Sequence, residues 1–135
     1  MTKRRRGSRS ARPAGRPGRF EQLVERALDG IPSPFADVLD EVAIVIADGL
    51  SPAQREENEL GPDDELYGLY EGVPRTEYQA DYLQVPNRIT LFRRALEEDF
   101  PDPQDLMDEV QVTVIHELAH HMGIDDDRLE ELGFD

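Results

Sequence analysis

Between Asp102 and Gly123 the sequence specifies one long helix with both ends marked, and no other segment constrains the fold as tightly. Asp102 offers an N-cap, Pro103 a first helical residue with no N–H to leave unpaired, and Asp105 an acid at the third position. Leu106, Met107, Val110, Val114, Ile115, Leu118 and Met122 then keep an apolar face through about five turns. Gly123 stands where a left-handed residue closes such a helix. A helix of this length with a continuous apolar face needs a second layer to pack against.

The rest of the chain supplies that layer in short pieces. Phe20, Leu23, Val24, Ala27 and Leu28 recur at helical spacing, and Gly30 and Pro32 end the run. A turn-rich stretch, Ile31 to Pro34, leads to a short helix at 35–40. Val42 to Ala47 is a continuous, largely β-branched run and predicts a strand buried on both faces. Ser51-Pro52 caps and starts a polar helix near 52–58. Leu66 to Glu71 predicts a second strand, closed by Gly72 and Pro74, and Ile89 to Phe92 a third. Residues 74–86 are weakly patterned and predict a loop with a helical turn. No repeat or linker divides residues 20–135. The fold class expected is α+β: a single small domain with a short mixed sheet packed on the long helix.

Composition narrows the function classes. A chain of 135 residues can bury one core unaided. The absence of cysteine excludes disulfides, thiolate metal sites and a cysteine nucleophile. The longest apolar run has six residues, far short of a membrane span. The net charge of −15 hides a split. Eight of the 15 basic residues precede Phe20 and no acid does, whereas the remaining residues hold seven bases and all 30 acids, a charge of −23. Residues 1–19 therefore predict a disordered basic tail on an acidic domain at 20–135. The acidic body argues against a nucleic-acid surface, leaving only the tail for such a partner. With no apolar signal stretch, no span and no cysteine, the expected compartment is the cytoplasm.

The long helix carries His116-Glu117-Leu118-Ala119-His120. At about 100° per residue, His116 and His120 lie roughly 40° apart and one turn apart, with Glu117 about 60° further round. Two imidazoles so placed can reach one Zn²⁺, and the glutamate is set to act as a base on water rather than as a ligand. Gly123 permits the positive φ that turns the chain back, bringing a run of three aspartates, Asp125 to Asp127, towards the open position. The stretch His116 to Asp126 reads H-E-x-x-H-x-x-G-x-x-D, the Asp-zincin signature, and the chain resembles the small zincin-like metallopeptidases called mini-zincins. The similarity in layout covers about residues 20–135. It implies one Zn²⁺ held by His116, His120 and Asp126, with Glu117 as the catalytic base.

Asp125, Asp127 or a water are the alternatives to Asp126. Asp127 with Glu130 has capping-box spacing for a short helix from Arg128 to Leu132, which leaves Asp126 for the metal. His121 is expected to pack or orient a neighbour. No methionine follows Asp126, which sets the chain apart from metzincins and leaves Phe134 as the aromatic able to floor the site from that side.

The resemblance implies hydrolysis of peptide or protein substrates alongside an edge strand. Tyr67, Tyr70, Tyr78 and Tyr82 are candidates to stabilise the oxyanion. The acidic body should favour basic peptides, and the basic tail could itself occupy the cleft. The readings that compete with a peptidase are a zincin-like metal-binding or interaction module without turnover, nucleic-acid binding through the tail, and a hydrolase acting on another bond.

Overall fold

The computed structural model describes residues 2–3, 17–72 and 87–134. Its elements in chain order are β1 (Thr2–Lys3), α1 (Pro17–Asp29), a 3₁₀ turn (Ala36–Glu41), β2 (Ala43–Ala47), α2 (Pro52–Glu57), β3 (Leu66–Glu71), β4 (Arg88–Phe92), α3 (Arg93–Asp99), α4 (Pro103–His121) and α5 (Asp126–Glu131). The sheet order is β1-β3-β4-β2, mixed in direction: β3 is antiparallel to β1 and β4, and β2 is parallel to β4. The α+β class and the single small domain follow the sequence. Among the described residues, no helix is long and apolar enough to cross a membrane.

The long helix forms where the cap chemistry places it. The Asp102 carboxylate accepts hydrogen bonds from the backbone N–H of Gln104 and Asp105, both at 3.1 Å. Val110, Val114 and Leu118 are fully buried against α1 and the sheet, each contributing about 1.5–3 kcal/mol through burial. A smaller cluster of Leu66, Leu69 and Phe92 packs with Ala47, Leu50 and Leu60. The capping box at Ser51 and Gln54 closes both reciprocal bonds and starts α2.

Four expectations change. β2 is not buried on both faces; it is the outermost strand beside β4, with Ala43 exposed and Val45 40% exposed. A continuous apolar run has no phase, so its pattern could not say that one face lacked cover. α3 was not expected: it follows β4 directly, its N-cap Phe92 makes no side-chain bond, and its local support is the Arg93–Glu97 pair at 3.0 Å. Arg93 also pairs with Asp48, and that hydrogen bond raises its pKa above the usual value. Within the segment read as a disordered tail, Thr2–Lys3 form a strand and α1 already begins at Pro17. The edge of β3 away from β4 supplies the ladder that two residues could not announce by pattern. The helix expected at Arg128–Leu132 instead starts at Asp126. The loop expected at 74–86 lies outside the described residues.

Gly68 sets how closely β3 approaches the long helix. A Cβ there would lie 2.5 Å from Thr113 Cγ2 on α4, well inside contact distance. Gly68→Ala is therefore expected to cost about 1–3 kcal/mol through overpacking. Adding Thr113→Ala removes the clashing methyl and should recover part of that loss in thermal denaturation. Recovery would tie the loss to this contact rather than to the glycine backbone.

Candidate metal centre

α4 ends as its last residues dictate. Gly123 adopts φ 79°, the Ile124 N–H donates to the Ala119 carbonyl at 2.8 Å, and the Gly123 N–H donates to His120 at 3.1 Å. These two bonds form a Schellman closure, with Ile124 packed on the core. The closure fixes the register of the aspartates that follow. Asp125, extended at φ −83° and ψ 172°, caps α5 by accepting from the Arg128 N–H at 2.8 Å. The cap is thus Asp125, not the Asp127 that capping-box spacing suggested. Asp126 sits exposed in the first turn of α5, with no part in the cap bond.

His116 and His120 stand on successive turns of α4, with Glu117 beside them. His116 is half-buried, and its Nε2 is a buried atom without a hydrogen-bond partner. Leaving such a nitrogen unmet costs about 1–3 kcal/mol, so it calls for an occupant. His120 is exposed, and its ring centroid lies 5.2 Å from that of Tyr70. Among the described residues, no three His, Cys, Asp or Glu side chains are grouped so as to hold a metal. The helix brings the two histidines together; Asp126 is not brought into a group with them. An imidazole pair on successive helical turns with one buried, unpartnered nitrogen suits zinc in donor chemistry.

Glu117 is 1% exposed. Its Oε1 accepts from the Tyr70 N–H of β3 at 2.9 Å, and its Oε2 accepts from the Thr2 hydroxyl of β1. β3 thereby fixes the carboxylate through its backbone, which no side-chain motif could have revealed. Tyr70 reaches the same helix a second time: its hydroxyl lies 2.8 Å from His121 Nδ1. His121 is fully buried, and its Nε2 lies 2.9 Å from Glu41 Oε1. His121 thus packs and orients a neighbour, as its place beside His120 suggested.

The model of the zincin-like metallopeptidase family matches residues 39–134, a span that includes β2, β3, β4 and the whole histidine motif. The chain belongs to this family. A comparison with curated proteins finds no match. Within the zincin-like frame, two of the tyrosines considered for the oxyanion are accounted for. Tyr67 is buried and donates to Asp99 Oδ2 at 2.8 Å, while Tyr70 lies against His120 and His121. Tyr78 and Tyr82 lie outside the described residues. Phe134 packs edge-on against Phe35, with centroids 4.9 Å apart, and joins the main core. Thr2, Glu41 and the Tyr70 amide were not legible as parts of the site.

Proposed function

We propose that the protein is a zinc-dependent peptidase in which His116, His120 and Asp126 hold one Zn²⁺ and Glu117 is the general base. The observation that carries this reading is the buried, unpartnered Nε2 of His116, one turn from His120 on the family's motif helix. Zinc bound there would supply Lewis acidity, polarising a carbonyl and lowering the pKa of a water towards about 7. Glu117 is held by the Tyr70 N–H at one oxygen, which fixes the direction of the other, the oxygen that would take a proton and return it to the leaving amine once the Thr2 hydroxyl leaves it. Asp126 follows a rigid helix closure and is not used as a cap, which leaves its carboxylate available. The strongly acidic body supports a preference for basic peptides.

A second reading is a zincin-like metal-binding module without turnover. It is favoured by Glu117 having both oxygens engaged by protein donors. Glu117→Gln separates the two. In the peptidase, this variant keeps its zinc and loses about 10²–10⁴-fold in cleavage of a peptide library. Full cleavage by Glu117→Gln would remove Glu117 from the mechanism, and stoichiometric zinc without cleavage in the unmutated chain would favour the module.

A further inference from the structure

We propose that Thr2–Lys3 are a tethered occupant of the outer edge of β3, closing in cis the place where an extended peptide would bind. The inference rests on the peptidase reading only for what is being closed. β3 uses one edge to pair with β4 and the other to pair with β1. An outer edge lying against α4 presents backbone donors and acceptors to any extended chain, and strand addition is a general mode of peptide recognition. Here Thr2 pairs with Gly68 and Lys3 with Leu66, antiparallel. The chain's own N-terminal segment therefore takes the peptide's place.

The side chain of Thr2 strengthens the assignment. Its hydroxyl donates to Glu117 Oε2, the oxygen that Tyr70 does not engage. With a protein donor on each oxygen and 1% exposure, the Glu117 carboxylate is covered while Thr2 is in place. Thr2 must withdraw before Glu117 can act on anything bound at the edge. The contact is built to be reversible, since the strand has two residues and its register is irregular between them. Such a short ladder is weak in isolation. It gains from the covalent link to α1, which raises the local concentration of the segment to about millimolar. The charges act in the same direction: the segment 1–19 carries eight bases and no acid, against a body of −23. Salt should weaken the closure.

The test uses the full chain, with and without added zinc, and a fluorescent peptide with the sequence of residues 1–12. Wild type is compared with Thr2→Val, Thr2→Ser and the double variant Thr2→Val/Lys3→Pro. The double variant is expected to bind the peptide about tenfold more tightly than wild type, because the cis competitor is gone. Amide exchange along Leu66–Tyr70 should quicken in that variant and slow again when peptide is added. Thr2→Ser, which keeps the hydroxyl, should behave as wild type, and Thr2→Val should fall between. Equal peptide affinity and equal exchange in wild type and the double variant would overturn the proposal. Binding is read apart from cleavage: tighter binding without hydrolysis supports the tether and counts against the peptidase, while more hydrolysis with unchanged binding and exchange overturns the tether and spares the peptidase.

Discussion

Replacing His116 with alanine is expected to release zinc from the protein and to abolish peptide hydrolysis with it. Of the donors proposed, His116 offers the nitrogen that is buried and without a hydrogen bond, so no competing protein contact is lost with it. Removing one ligand from a small set should weaken zinc by about 3 kcal/mol or more, roughly a hundredfold or greater. The stability of the metal-free protein should change far less, because the lost nitrogen carries no bond in the fold. The two effects separate in one experiment. Zinc at a hundredfold excess over its dissociation constant stabilises the folded state by about 2.7 kcal/mol, so wild type should melt higher with zinc present and His116→Ala should not. The same measurement resolves the aspartates. Asp125→Ala removes the α5 cap and should cost about 1 kcal/mol with or without zinc. Asp126→Ala should instead reduce the zinc-dependent part of the shift. An unchanged zinc shift in Asp126→Ala would take that residue out of the ligand set.

The contrast between these aspartates shows where sequence reading stops. Three consecutive acids are equivalent as text, and only the register set by the Gly123 closure decides that Asp125 caps and Asp126 does not. The long helix was legible because its determinants are local: Asp102, Pro103, the apolar spacing and Gly123 act within a few residues of one another. The same locality made His116, Glu117 and His120 visible, since one turn of helix relates them. β2 was legible as a strand but not as an edge, because exposure depends on what covers each face. Thr2–Lys3 carry no pattern at all, and their structure follows from the free edge of a strand more than sixty residues away. The support behind the motif is equally remote. Tyr70 lies 51 residues before His121, and Glu41 lies 80 before it. Such chains are built by tertiary packing, and a single sequence does not mark them.

That remote support makes His121→Ala the substitution with the largest expected effect on stability. The ring is fully buried, with Tyr70 Oη at 2.8 Å from Nδ1 and Glu41 Oε1 at 2.9 Å from Nε2. A carboxylate can only accept, so Nε2 carries a proton towards Glu41, and in the neutral ring Nδ1 accepts from the Tyr70 hydroxyl. Truncation to alanine opens a cavity worth about 2–4 kcal/mol and removes two hydrogen bonds worth about 1 kcal/mol each. Glu41 is partly exposed and can turn to water, so the burden falls on the Tyr70 side. A total of about 3–5 kcal/mol is a large share of the 5–15 kcal/mol that holds a domain of this size. Tyr70→Phe removes one hydroxyl and keeps the ring on His120, so it should cost only about 1 kcal/mol. In the double variant the two costs should not add, because the hydroxyl and the imidazole share one bond. Additive losses in urea denaturation would mean that Tyr70 and His121 stabilise the fold independently. Since the Tyr70 N–H also holds Glu117, loss of His121 should reach the base as well, quickening exchange of the Tyr70 amide before the domain as a whole unfolds.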